Sequence, residues 1–131
     1  MAVFRRPVFA VRAALRAQRE VGSPGAGRRP PLLKAGVHSG PCIAVNQNGR
    51  LDYFGSTVNL AARLVAISTG SDVVVSDAVL ADPEVADDLA AEIAGAEPLE
   101  AALKGFEGER IALWRLAAPA RQRRGDEPRP P

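Results

Sequence analysis

Asn59 and Arg63 stand four residues apart in the stretch LDYFGSTVNLAARL, Leu51 to Leu64. A carboxamide both donates and accepts hydrogen bonds, and a guanidinium offers five donors in a planar fork. On a helix, side chains four apart share a face. Such a pair suits a ligand with oxygen acceptors and negative charge. Asp52, a lone acceptor, sits just before the turn at Gly55 that leads into the same helix start. The same spacing serves equally as a loop cap or an ordinary salt bridge, because polar pairs at this separation are common on helices.

The elements that must position these groups follow from the same stretch. Leu51 to Phe54 reads as the end of a strand, Gly55 as a tight turn, and Ser56 or Thr57 as a helix start. On the helix wheel Val58, Ala61, Ala62 and Val65 share one side, and Leu60, Leu64 and Ile67 cover another. Only Ser56, Asn59 and Arg63 remain as a polar stripe. A helix apolar almost all round is expected to be buried. An arginine on it then needs a partner, since an unpaired buried charge is too costly to keep. The stripe is therefore expected at an interface or a cleft that holds an anion.

Other reactive residues carry less. His38 and Cys42 make two ligands, and a structural zinc site needs four. With no serine, cysteine or acid at triad-like spacing, His38 is read as structural. Cys42 is the sole cysteine, so no internal disulfide forms, which fits a reducing compartment. It is expected to pack as a small hydrophobe. GSPGAGRRPP, Gly22 to Pro31, lacks the Lys-Ser/Thr and following helix of a phosphate-binding loop and reads as a linker. Glu84, Asp87, Asp88 and Glu92 read as a solvated helix face.

The chain has 131 residues, room for one small domain. Its hydrophobic fraction of 47% is ordinary for a globular protein, but aromatics are only 5%, so Ala, Val, Leu and Ile must build the core. Net charge is +2, and many arginines lie in two proline-rich segments. No basic-plus-aromatic pattern for stacking on bases is present, so nucleic acid is not an expected partner. No apolar run is long enough to span a membrane, and no signal core follows the N-terminal arginines. A cytoplasmic protein without a membrane partner is expected.

In chain order, MAVF (Met1 to Phe4) reads as a strand end, and Pro7 opens a helix to about Val21. Leu32 to His38 reads as a strand. Cys42 to Val45 and Leu51 to Phe54 flank the Asn-Gly pair of NQNGR, a hairpin signal. Asp72 to Ser76 is a short buried strand, and Asp77 to Asp82 a turn or short helical piece. Pro83 opens a helix to about Ala94, with Val85, Leu89 and Ile93 inward. Glu97 to Leu103 and Arg110 to Leu116 read as strands around a turn at Lys104 to Gly108. The expectation is an α+β sandwich of helices on a largely antiparallel sheet, followed by a disordered Pro- and Arg-rich tail over residues 118–131.

GVHSGPCIAV, LDYFGSTVNLAARL, SDVVVSDAV and LKGFEGERIALWRL, in that order, closely resemble the C-terminal half of a class III adenylate/guanylate cyclase catalytic domain. The string D-x-x-G-x-x-V-N-x-x-x-R is specific for that family. The resemblance implies a ferredoxin-like sandwich over residues 1–117. It also implies conversion of a nucleoside triphosphate to a cyclic nucleotide and pyrophosphate. By motif, Asn59 is similar to the asparagine that orients the ribose, and Arg63 to the arginine that stabilises charge on the α-phosphate. Asp52 stands where adenine-selective members carry an aspartate, which favours ATP over GTP. Lys104 matches an LKG element, a triphosphate contact or a merely solvated lysine.

The family implies two Mg2+ or Mn2+ ions held by two aspartates, but neither aspartate position is present between Met1 and Pro131. The chain is therefore expected to be an N-terminally truncated piece, inactive alone. Family members form their site between two subunits, so a homodimer, or a heterodimer with a metal-bearing cyclase domain, is the implied partner. A non-catalytic nucleotide-binding or regulatory module is the competing expectation.

Overall fold

The computed structural model describes residues 1–22 and 31–117. In chain order the elements are α1 (Pro7–Val21), β1 (Ala35–Val37), β2 (Ile43–Gln47), β3 (Arg50–Phe54) and α2 (Ser56–Ile67). There follow β4 (Asp72–Ser76), α3 (Asp77–Leu80), α4 (Pro83–Asp88), α5 (Ala90–Ala94), β5 (Glu97–Ala101) and β6 (Ile111–Ala117). One sheet runs β1-β4-β6-β5, and β2 and β3 form a separate two-stranded ribbon. β1 lies parallel to β4, and the other pairs are antiparallel.

β4 organises the core because its sequence, DVVVS, is buried on both sides. Successive strand side chains point to opposite faces. Val73 and Val75 accordingly join Val8, Val11 and Leu15 of α1, Val79, Val85, Leu89 and Leu116. Val74 faces the other way, into Leu60 and Leu64 of α2, Leu103 and Leu113. The sheet thus separates α1 and α3–α5 from α2, the α+β sandwich expected. α1 starts as read, with Pro7 at its first turn, where a missing N–H costs nothing. Arg6 is ion-paired to Glu84 on α4 and stacks 4.4 Å from the Phe9 ring centroid. Arg12 reaches Asp88 at 3.3 Å.

Several expectations need correction. Met1 to Phe4 joins no ladder. The strand expected from Leu32 is only Ala35–Val37. The helix expected from Pro83 to Ala94 breaks at Leu89, whose φ of −116° and ψ of 27° leave the helical region. Leu89 lies in the core as expected, at 4% exposure, with Ile93 packed beside it. Cys42 is exposed, because it precedes a ribbon that no other strand covers. The NQNGR turn is as read: Asn48 and Gly49 both take positive φ, 51° and 77°, as a two-residue type I′ hairpin requires. The tail, residues 118–131, and linker residues 23–30 lie outside the described residues.

Candidate active site

α2 carries Asn59 and Arg63, and two glycines place it. Gly55, φ 127°, turns the chain from β3 directly into the helix in a conformation that side chains rarely adopt. Gly36 lets β1 pass against α2. A Cβ there would lie 2.7 Å from both the Leu64 Cβ and the Val65 backbone nitrogen. The far end of α2 is clamped by polar contacts. The Ser68 hydroxyl donates to Asp72 Oδ1 at 2.9 Å, and the Thr69 amide donates to the same oxygen at 2.8 Å. Asp72 Oδ2 is paired with Arg115. The Gln18 carboxamide donates to the Leu33 carbonyl at 2.9 Å and to the Asp72 carbonyl. Burial pushes the Asp72 carboxyl up, but Arg115, the Thr69 amide and the Ser68 hydroxyl outweigh it and hold it below the usual range. Sequence reading missed this cluster; the only trace of it is the run of small hydroxyl residues around Asp72.

α2 is not buried all round. Leu60 and Leu64 are buried, Val58 and Ala61 are half-buried, and Ala62, Ala66 and Val65 are exposed. Among the described residues one side of the helix meets the sheet, and Ala62, Val65 and Ala66 stay uncovered. Asn59 and Arg63 are also exposed. Among the described residues, neither side chain has a hydrogen-bond or ion-pair partner, so neither caps a loop or closes a salt bridge.

Arg63 and Lys104 converge on one turn. Leu103 is buried against Leu60 and Leu64, and Phe106 packs on the same cluster. Between them the chain makes two tight turns, with the Phe106 amide donating to the Leu103 carbonyl at 3.0 Å and the Glu109 amide to the Phe106 carbonyl at 3.1 Å. Gly105 and Gly108 supply positive φ at the third position of each. Glu107 accepts from the Gly105 amide at 3.0 Å. Its carboxyl sits below the usual range, chiefly through that bond and with a smaller contribution from the Arg63 charge. Lys104 is exposed on this turn. Asp52 stands apart, exposed on β3 opposite Val45, its Oδ1 accepting from the Tyr53 amide at 2.9 Å. No hydrogen bond or ion pair among the described residues joins Asp52, Asn59, Arg63 and Lys104.

A cavity of about 460 Å3 lies elsewhere. Thr57, Val58 and Ala61 of α2 line it, together with α1, β1 and Met1–Arg5; Asn59 and Arg63 do not. The stripe therefore lies off the lining of this cavity. His38, on the cavity wall, has its Nδ1 2.6 Å from the Ser76 Oγ. Sequence reading found no serine partner for it, because Ser76 is distant in the chain. Ser76 is 3% exposed, so the pair ties the end of β1 to the end of β4 and presents no nucleophile. Burial pushes the His38 pKa down.

The donors for a divalent cation do not fit. No group of three or more His, Cys, Asp or Glu among the described residues could hold a metal ion. Asp52 has no second carboxylate beside it on the ribbon, where its cross-strand neighbour is Val45.

The fold is a mixed sheet with helices on both faces, and an exposed Asn/Arg stripe lies on a helix entered through glycine. The family described as the adenylate and guanylate cyclase catalytic domain matches residues 18–105, well over half of the chain, and the chain belongs to that family. A solved adenylate cyclase from Trypanosoma brucei, in its monomeric state, has a TM-score of 0.53 at 22% identity, covering 83% of this chain and 54% of that one. The adenylyl cyclase CyaB from P. aeruginosa aligns at 23% identity and TM-score 0.47, over 86% of this chain and 53% of its own. The chain spans about half the length of these solved structures. No curated protein matches it.

Proposed function

We propose that this chain supplies the ribose-orienting and phosphate-stabilising half of a nucleotide cyclase site, acting on ATP to give cyclic AMP and pyrophosphate when a metal-bearing cyclase domain faces it. The observation that carries this reading is that Asn59 and Arg63, one helical turn apart, have no hydrogen-bond or ion-pair partner among the described residues. Such donors suit a ligand placed by positioning and charge. In this reading Arg63 grips the α-phosphate oxygens with its fork as charge builds there. Asn59 holds the ribose so that the 3′-oxygen points at phosphorus. Asp52 accepts from the adenine amino group, and Lys104 contacts the triphosphate. Divalent cations would activate the attacking oxygen and neutralise the leaving phosphates, and their ligands would belong to the facing domain.

The test mixes the purified chain with a cyclase domain that keeps its metal-binding aspartates but has lost its own asparagine and arginine. Cyclic AMP is then measured from ATP with Mg2+ or Mn2+. The chain alone gives no product, the mixture does, and Arg63→Ala removes the gain. A folded chain that fails to rescue its partner refutes the reading, and turnover by the chain alone refutes its dependence on a partner.

A further inference from the structure

The two ends of α2 are held differently. Its far end sits on the Asp72 cluster, whereas its start has no side-chain cap, because the N-cap residue is Gly55. Among the described residues, one side-chain hydrogen bond holds that start: the Thr57 hydroxyl donates to the Pro41 carbonyl at 2.5 Å. The acceptor belongs to the loop between β1 and β2. That loop is anchored in turn, since His38 at its beginning meets the buried Ser76 hydroxyl of β4 at 2.6 Å. Gly40 shows how closely loop and helix fit. Its φ lies outside the left-handed region, so its backbone does not demand glycine. A Cβ there would lie 2.7 Å from Thr57 Oγ1 and 3.3 Å from Thr57 Cγ2. A side chain at position 40 would therefore displace the threonine that makes the bond.

Asn59 is two residues beyond Thr57 in the same first turn, and its amide donates to the Gly55 carbonyl at 3.2 Å. Side chains two apart on a helix point to nearly opposite sides, so the Thr57 bond braces the turn from behind while Asn59 faces out. We propose that Thr57 is a positioning residue for Asn59: its bond to Pro41 fixes the first turn of α2 and with it the direction in which the carboxamide is presented. The consequence for turnover rests on the cyclase reading, in which Asn59 orients a ribose; the mechanical tie does not. Arg63 lies a full turn further on, nearer the clamped end, and depends less on the tie. Its loss therefore disturbs the aim of the 3′-oxygen more than the grip on the phosphates, and shows in kcat and not in KM.

The experiment uses variants of the full chain, with far-UV circular dichroism as the check of folding. Thr57→Val keeps the shape and drops the hydroxyl, Thr57→Ser keeps the hydroxyl, and Gly40→Ala drives the threonine off the loop. The first readout is amide hydrogen exchange of the chain alone. The Asn59 and Leu60 amides are expected to exchange about fivefold faster in Thr57→Val and Gly40→Ala, the factor that one net hydrogen bond supplies. Thr57→Ser stays at the wild-type rate, and Leu64 and Val65 are unchanged in all three. Pro41 is exposed, so water takes over its carbonyl and the melting temperature moves little. The second readout is rescue of the metal-bearing cyclase domain. Thr57→Val and Gly40→Ala lower kcat about tenfold with KM for ATP unchanged, while Thr57→Ser stays near wild type. A wild-type chain that gives no rescue refutes the cyclase reading, and exchange alone then decides the tie. A folded Thr57→Val chain that exchanges like wild type at Asn59 overturns the proposal. Where the wild type rescues, so does an unchanged kcat in Thr57→Val or an equal loss in Thr57→Ser.

Discussion

Replacing Asp72 by alanine tests whether the polar cluster behind α2 sets the stability of the helix that carries Asn59 and Arg63. Asp72 is 4% exposed. Its carboxylate accepts from the Ser68 hydroxyl and the Thr69 amide and is paired with Arg115. Hydrogen bonds to a charged group contribute about 1.5–3 kcal/mol each, and a buried donor left alone loses its hydration. The Arg115 side chain is 28% exposed, so water screens its share to about 1 kcal/mol. The contacts share one carboxylate and do not add fully, which leaves a cost of about 3–4 kcal/mol. For a domain of this size that lowers Tm by roughly 15 °C. Asp72→Asn keeps an acceptor for Ser68 and Thr69 but loses the charge, and should cost about half as much. Urea unfolding at neutral pH reads both values. Acid should reproduce the effect. The folded carboxyl is held below its ordinary 3.8, so its contribution is complete above that pH and is lost as pH falls through the depressed value. A cost under about 1 kcal/mol for Asp72→Ala would refute this account of the cluster, since that is the size of a surface substitution.

Arg63→Ala and Asn59→Ala should each change unfolding free energy by less than about 0.5 kcal/mol, because neither side chain has a hydrogen-bond or ion-pair partner among the described residues, while cyclase complementation is lost; thermal melts beside the rescue assay separate the two effects. Gly36→Ala should cost about 1–3 kcal/mol, because the new methyl meets the α2 backbone and not a side chain able to swing away, and rescue should weaken with it. His38 has its pKa pushed below its ordinary 6.5, so the unfolded chain binds the extra proton first. Stability should therefore fall as pH drops from 6.5 toward the folded value, and the slope should vanish in His38→Gln when Tm is followed against pH.

Much of the fold was legible where one local rule decides. Asn48–Gly49 dictates its turn, Pro7 its helix start, and the valines of β4 a strand buried on both faces. Reading failed where the outcome depends on what lies alongside. The composition of α2 said it should be covered, but composition does not say whether the cover belongs to the same chain. MAVF has strand residues, yet it joins no ladder among the described residues. Helical spacing put Leu89 inward, as it is, but does not encode the interruption of the helix at that residue. The Asn59 and Arg63 stripe was visible from spacing. Its place off the cavity lining was not, nor was the Ser76 partner of His38, because both depend on how distant segments meet.

The β2–β3 ribbon stands outside the main sheet, with Ile43 at 64% and Phe54 at 45% exposure. These two residues are cross-strand partners, and Phe54 shares a face with Asp52, two positions earlier on β3. A two-stranded ribbon without cover is only marginally rigid in water. Any surface that settles on Ile43 and Phe54 will therefore also freeze the direction of Asp52. Docking on the ribbon and any contact made at Asp52 are then one coupled equilibrium: whatever engages Asp52 tightens the docking, and docking tightens that contact by the same factor.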